Sequence, residues 1–434
     1  MSTPTHLVKD VFAGKEAAVS EPSGSIVDAE LRAAIPLVTA ALLRRYGDFA
    51  ACEDAVQEAL IEALDSWPTH GRPRDVKAWL LTVARRRYID AIRSDAARRT
   101  RENRDAQLDN RDAAVSARDD SLALLVLCCH PALQPLSQLA LTLRSVCGLT
   151  TTQIAAAFFQ SETAMSQRIT RAKRTIDEAG RRFEWPSACE FDERAELVRT
   201  ALYLMFTEGY APSLGQLPVH VELIAEAIRL TRMLREARPA DQETTALLAL
   251  MLLSDARTAS RTGPDGLLVA LPDQDRSLWD QAKIREGRRL AADALTTGTL
   301  TPIAVQAAIA AVHAAAADAS STDWDHILGL YDTLVDLQPG PAARLGRSAA
   351  VGMAMGSAAG LAELDALEAD ERLARSHRLL SVRAGLLEQA GAFDEASDAY
   401  IQAGLRTSNV SERRWLQAQA QRLQNTTREE EKDR

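Results

Sequence analysis

The sequence predicts an all-α protein, and two observations carry that prediction. Apolar residues make up 46% of the chain but aromatics only 5%, and alanine is abundant, a balance that favours helices packed through small and aliphatic side chains. Apolar positions recur at helical spacing throughout, with no convincing alternating stretch that would read as a strand. At 434 residues the chain is too long for one typical domain, and the length suggests about two to four. The breaks in periodicity place them at 1–27, 28–99, 100–120, 121–184, 185–423 and 424–434.

The first segment, "MSTPTHLVKDVFAGKEAAVSEPSGSI", lacks a long apolar core and reads as a flexible leader, not a signal peptide. Nowhere does the chain hold the roughly 18 consecutive apolar residues that a membrane span needs. A cytosolic protein is expected. The five cysteines form no disulfide framework and fit reduced thiols in helical cores. Cys128-Cys129-His130 lacks the ligand spacing of a zinc site and reads as a helix end stopped by Pro131. No metal or cofactor is expected.

Residues 28–99 form the first helical block. "DFAACEDAVQEALIEALDSW" is amphipathic, with Ala55, Leu60 and Leu64 on its buried side and Asp54, Gln57, Glu58 and Glu62 available to a partner. Pro68, Gly71 and Pro73 then break the helix into a loop that leads to Trp79. "WLLTVARRRYIDAIR" resumes it. At about 100° per residue, Leu80, Ala84, Tyr88 and Ala91 share one face, with Leu81 and Ile92 beside it. Arg86, Asp90 and Arg93 lie opposite, and Arg85 and Arg87 flank the boundary. The chain carries a net charge of −9, which bears on solubility and not on fold. A local basic face suits either solvation or the tracking of phosphates.

After a polar linker at 100–120, residues 121–184 supply a helix-turn-helix pattern. Thr150 to Thr152 can cap a short helix containing Ile154 and Ala155. A turn follows at Phe159 and Gln160, and Ser161 caps a second helix. That helix buries Met165 and Ile169 and projects Thr163, Ser166, Gln167, Arg168 and Arg171. Short polar side chains followed by arginines and Lys173 suit base reading followed by phosphate clamping.

Residues 185–423 are a long helical region closed by a polar tail. "LLSVRAGLLEQAGAFDEASDAYIQAGL" reads as helix, turn at Gly391, helix, with small residues where the pair meets. Tyr331 and Tyr400 stand 69 positions apart, close to two units of about 34 residues, the tetratricopeptide period. In "FTEGYAPSLG", Gly209 suits a left-handed helix end and Pro212 prevents continuation. In "PDQDRSLWD", Asp275, Arg276 and Trp279 cluster at a helix start.

These residues together resemble the bacterial sigma-70 factors of the extracytoplasmic-function group. "ACEDAVQEALIEAL" resembles the helix of region 2 that binds core RNA polymerase, through its β and β′ subunits, which implies that role for Asp54, Gln57, Glu58 and Glu62. "GRPRDVKAWLLTVARRRYIDAIRS" resembles the segment that melts and reads the −10 element. It implies promoter contacts for Arg72, Arg74, Trp79, Arg85, Arg86, Arg87, Asp90 and Arg93. Arg86 stands where many relatives carry Asn. "TTQIAAAFFQSETAMSQRITRAKRTI" resembles the −35-reading helix-turn-helix of region 4, implying Ser161, Thr163, Ser166, Gln167, Arg168, Arg171 and Lys173.

"ALYLMFTEGYAPSLG", "PDQDRSLWD", "QAAIAAVHAAA" and "TDWDHILGLYDTLV" resemble a subgroup with a long tetratricopeptide-like extension. Thr301-Pro302-Ile303 and Gly346 depart from its Gly-Pro-Tyr and Asn. The subgroup implies that the extension acts in cis on the sigma domains, with Gly209, Tyr210, Asp275, Arg276 and Trp279 as docking positions. A helix-turn-helix regulator with a helical sensor domain is the alternative, but it has no use for a polymerase-binding helix followed by a melting segment. An enzyme lacks support: no glycine-rich phosphate loop, metal-ligand cluster or nucleophile–base pairing is visible, and no catalytic residue, small-molecule substrate or membrane partner is assigned.

Overall fold

A computed structural model of the chain describes residues 29–99, 120–158, 160–179, 187–212, 219–296, 299–368, 370, 373, 376–407 and 409–432. The expected leader and all but Asp120 of the expected linker lie outside them. The described residues contain eighteen α-helices and no strand; one isolated antiparallel bridge joins Thr262 and Leu268. None of these helices is long and apolar enough to cross a membrane.

The chain divides into two compact units, 19–205 with 225–230, and 206–224 with 231–434. In the first, α1 (Ala29–Tyr46), α2 (Phe49–His70) and α3 (Val76–Arg99) pack around Leu31, Ile35, Val38, Val56, Leu80 and Tyr88. Gly47, at φ 79°, ends α1 where a side chain would be strained. Asp48 then caps α2 by accepting from the Ala51 amide at 2.9 Å. Pro68 does not stop α2 as expected. The helix continues to His70 and ends at Gly71, φ 81°, because only one intrahelical bond is lost and the following glycine supplies the turn. On α3, Leu80, Ala84 and Tyr88 are buried, but Ala91 is exposed: the core has ended a turn earlier.

The same unit holds α4 (Ser121–Cys128), α5 (Pro135–Ser145), α6 (Thr151–Ala157) and α7 (Glu162–Glu178). Every residue of α4 is buried; at its end His130 Nδ1 accepts from the Ala132 amide at 3.2 Å while Gln138 Nε2 donates to the carbonyls of Cys129 and His130. Thr150 and Gln153 form a reciprocal capping box on α6, each side chain accepting from the other's amide at 3.2 and 2.9 Å. Ser161 caps α7 through the Ala164 amide at 3.2 Å. Phe159, in the expected turn, lies outside the described residues.

Helix α8 (Ala188–Tyr210) and α9 (Val221–Ala237) are each divided between the units. The second unit continues through α10 (Gln242–Asp255), three 3₁₀ turns, α11 (Gln281–Thr296), α12 (Pro302–Ala315), α13 (Trp324–Leu337), α14 (Pro341–Met355), α15 (Ser357–Leu367), α16 (His377–Gln389), α17 (Phe393–Arg406) and α18 (Val410–Lys432). The expected hairpin is present: α16 and α17 join through Gly391 at φ 77°, and Ala384, Ala396, Ala399 and Ala403 meet at its core with Tyr400 and Leu416. Gly346 lies beneath Tyr331, where a Cβ would come within 2.5 Å of the ring, so the departure from Asn is matched by a close helix approach. Thr301 caps α12, with Pro302 in its first turn. The expected polar tail is not separate, since α18 runs on to Lys432.

Candidate nucleic-acid interface

Helices α2 and α3 pack side by side and present adjoining surfaces of opposite charge. On α2, Asp54, Glu58 and Ile61 are exposed and Gln57 and Glu62 half-buried. On α3, Arg86, Asp90 and Arg93 are exposed, with Arg85 and Arg87 half-buried at the edges, the placement that the periodicity predicts. The two surfaces meet at Glu62. Its carboxylate accepts from Arg86 at 2.7 and 2.8 Å and from Arg87 at 2.6 and 3.1 Å. Those bonds, Arg86 first, hold the Glu62 carboxyl below its ordinary pKa against the opposing effect of burial. These arginines are therefore held in place, though near solvent where such pairs are weak.

In the first turn of α3, Trp79 is half-buried and meets Trp67 edge-on at 5.3 Å. Arg72 lies over Trp67 at 6.0 Å and pairs with Glu30; Arg74 is exposed. Tyr46 stacks on Tyr88 at 4.1 Å, joining α1 to the buried side of α3. The side chains of 94–99 and all of Thr100 and Arg101 lie outside the described residues.

On α7, Ser161, Thr163, Ser166, Gln167 and Arg171 are exposed and Arg168 half-buried. Lys173 is the exception. Expected to clamp phosphate, it is buried, pairing with Glu53 and donating to Asp54 at 2.7 Å. Burial pulls its pKa down, but the two carboxylates outweigh that and hold it above the ordinary ammonium value. The spacing sets Met165, Ile169 and Lys173, every four residues, on one inward face, and the carboxylates opposite keep the lysine there. Three partners escaped sequence reasoning. Glu53 sits on the inner side of α2, its side chain 1% exposed. Arg144 approaches it to 3.6 Å. Asp177 accepts from the amides of Phe49 at 2.8 Å and Ala50 at 3.3 Å.

The expected docking positions of the extension all make contacts within the extension: Gly209 and Trp279 are buried, Tyr210 and Arg276 half-buried and Asp275 exposed. Gly209 is helical, not left-handed; its value is close approach, since a Cβ there would stand 3.0 Å from both the side chain and backbone of Ile224. Arg261 covers the Tyr210 ring at 3.7 Å and bonds its carbonyl, while Arg257 reaches the Tyr210 hydroxyl at 3.3 Å. Residues 213–218, the rest of that turn, lie outside the described residues. Asp275 caps a 3₁₀ turn through Ser277. Arg276 donates to the carbonyls of His313 at 2.9 Å and Ala316 at 2.7 Å and covers the Trp279 ring at 4.7 Å. Trp279 is 3% exposed and donates to Ser260 Oγ at 2.8 Å. Trp279 is buried and Arg276 half-buried, and polar groups of this irregular segment find their partners within it.

Comparison with known proteins matches residues 31–99 to the family described as Sigma-70 region 2 and residues 123–176 to Sigma-70, region 4. Residues 194–295 match a family of unknown function (DUF6596). The uncharacterized protein R00370 of Rhizobium meliloti (strain 1021) is 40% identical over 410 residues, covering 92% of this chain and 96% of its own. A probable ECF RNA polymerase sigma factor, SigI of Mycobacterium tuberculosis, is 32% identical over 144 residues, 31% of this chain and 49% of that protein. The crystal structure of the yeast Tom70 aligns with 90% of this chain and 82% of its own at 12% identity and a TM-score of 0.37, a likeness too weak to carry an argument.

Proposed function

The chain belongs to the extracytoplasmic-function sigma-70 factors that carry a long helical C-terminal extension, and we propose that it binds core RNA polymerase through α2 and directs initiation by reading two promoter elements. Asp54, Gln57, Glu58 and Glu62 meet the β and β′ subunits. The loop before α3, with Arg72 and Arg74, and on α3 itself Trp79 and the face of Arg85, Arg86, Arg87, Asp90 and Arg93 engage the −10 element, where an unstacked base suits shape and stacking. Helix α7 reads the −35 element through Ser161, Thr163, Ser166, Gln167, Arg168 and Arg171. The reading assigns no catalytic residue and no cofactor, and it places the protein in the cytoplasm with its template.

The observation that carries this reading is the juxtaposition on one three-helix body of the exposed α2 surface of Asp54, Glu58 and Ile61 with the basic face of α3. A helix-turn-helix regulator needs only α6 and α7. The test is run-off transcription by core polymerase with the full chain. A promoter-specific transcript that disappears with Ser166→Ala/Gln167→Ala supports the reading. Duplex binding without any core-dependent transcript favours the regulator.

The extension acts in cis on these modules. Support comes from α8, the first helix beyond region 4: its Arg194, 3% exposed, donates to the Val126 carbonyl in α4 at 2.9 Å. A cut at Trp185 would remove that donor, so the cis role is better tested on the intact chain, by crosslinking and mass spectrometry. Links confined to the extension would refute it.

A further inference from the structure

The irregular segment after α10 gathers cations. Arg257 and Arg261 stand four residues apart just beyond the C-terminus of α10, and both close on Tyr210. The Arg261 guanidinium lies over its ring at 3.7 Å and bonds its carbonyl, and Arg257 Nη2 donates to its hydroxyl at 3.3 Å. Arg276 approaches from a later 3₁₀ turn. The Ser260 hydroxyl ties the two turns together, donating to the Arg257 carbonyl at 3.0 Å and accepting from Trp279 Nε1 at 2.8 Å. Arg276 covers the ring of that same Trp279. All of these residues belong to the second unit.

Negative charge does not accompany them. Among the described residues none of these three arginines forms an ion pair; their partners are carbonyls, hydroxyls and ring faces. The carboxylates of the same stretches are engaged elsewhere. Asp255 pairs with Lys283 at 2.8 Å, Asp275 caps Ser277, and Asp318, whose charge reaches Arg276, bonds Ser320 and Ser321. The C-terminus of α10 offers roughly half an elementary negative charge against three guanidiniums. The excess shows in the neighbours. Burial first, then the charges of Arg257 and Arg276, keep His313 neutral, and burial first, then Arg257, pushes the Arg261 guanidinium below its ordinary pKa.

The arrangement also leaves donors unused. A guanidinium carries five N–H groups; Arg257 places one on the Tyr210 hydroxyl and Arg261 one on its carbonyl. Arg276 is different, being committed to the carbonyls of His313 and Ala316 and to Thr322 Oγ at 3.4 Å, so it adds charge and few donors. Arg257 and Arg261 are half-buried, open to a solute yet less screened than a surface pair. Contact with Tyr210 fixes both forks. Two fixed forks side by side suit the several oxygens of a phosphate group, and their uncompensated charge matches a dianion.

We propose that Arg257 and Arg261, held by Tyr210, form a binding site in the extension for a phosphate group, with Arg276 adding its charge. The ligand is inorganic phosphate or a small phosphate ester, which share the dianionic head. Binding ties the end of α8, which carries Tyr210, to the segment after α10, and so gives the extension a chemical input of its own. The inference does not rest on the sigma-factor reading, and its tests use no polymerase.

Isothermal titration calorimetry of the full chain at neutral pH and low salt tests it, with inorganic phosphate, glycerol 3-phosphate and acetate as probes. Saturable binding of one phosphate per chain is expected. Arg257→Gln should weaken it roughly ten- to hundredfold, the order of one lost charge-assisted hydrogen bond. Arg289→Gln, which alters an exposed arginine of α11 paired with Asp293, should leave it unmoved. Tighter binding of glycerol 3-phosphate identifies an ester as the ligand and the reverse order the free anion; either supports the site. Acetate bound as tightly as phosphate overturns the phosphate assignment. Absence of saturable binding by both phosphate probes overturns the site, as does an affinity unchanged in Arg257→Gln. Arg257→Lys, which keeps the charge and loses the fork, guards against misfolding of the first variant and should fall between. A further measurement needs no variant: millimolar phosphate should raise the thermal unfolding midpoint of the chain above that in sodium chloride of equal ionic strength. Equal midpoints in the two salts overturn the site.

Discussion

Arg86 donates to both carboxylate oxygens of Glu62, at 2.7 and 2.8 Å, so a side chain assigned to the promoter is held by one assigned to polymerase. The pair is near the surface and contributes under about 1 kcal/mol to folding. Glu62→Gln is therefore expected to leave the melting temperature nearly unchanged while releasing Arg86 and Arg87 to phosphate. Affinity for promoter DNA should rise and become more salt-dependent. Arg86→Ala with Arg93→Ala should do the reverse, each lost phosphate contact lowering the salt slope by about one. Binding isotherms over a salt series check both; an unaltered slope in the arginine variants means the face is only solvated.

Ser166 and Gln167 are exposed on α7 and bear no part of its core. Substituting either should shift the preferred bases of the −35 element, with discrimination changed by about 1–3 kcal/mol per base contact, while core binding is retained. Selection from a promoter library reads this directly, and a wild-type preference from both variants would remove α7 as the reader.

Trp279 carries a structural load within the extension. Trp279→Ala removes a large buried side chain and leaves Ser260 without its donor, and it should destabilise the extension by about 3–5 kcal/mol. Denaturant unfolding measures it. A loss under about 1 kcal/mol, coupled to altered transcription, would restore the docking role.

His313 makes the extension acid-sensitive. Burial first, then the charges of Arg257 and Arg276, push its pKa down to about 4, while in the unfolded chain it titrates near ~6.5. Between those values the unfolded chain binds a proton that the folded one refuses. Stability is therefore complete above about pH 6.5 and is lost as the pH falls toward 4, by at most about 2–3 kcal/mol. His313→Phe should flatten that stretch of the stability-against-pH curve; an equally steep curve in the variant assigns the loss to other groups.

Gly346→Asn, the substitution toward the subgroup's residue, should drive a Cβ into the Tyr331 ring, 2.5 Å away. Unless the ring turns out, the expected cost is about 1–3 kcal/mol, readable in thermal unfolding of the full chain.

The sequence by itself determined the helical class, the cap at Thr150, the Ser161 cap, the Gly391 turn and the solvent side of α3 and α7. These depend on contacts within a few residues and on the 3.6-residue period, both written in local order. It did not determine which polar side chains on an inward face find partners. Lys173 repeats the spacing of Met165 and Ile169, but whether a lysine there is expelled or buried depends on what stands opposite, and Glu53 lies 120 positions away. Trp279 and Arg276 look like a surface cluster in sequence; the carbonyls of His313 and Ala316 hold Arg276 over the ring of Trp279, which is buried and bonded to Ser260. Only the tertiary structure brings such groups together, because burial of a charge or an indole is decided by distant partners and not by the helix that carries it.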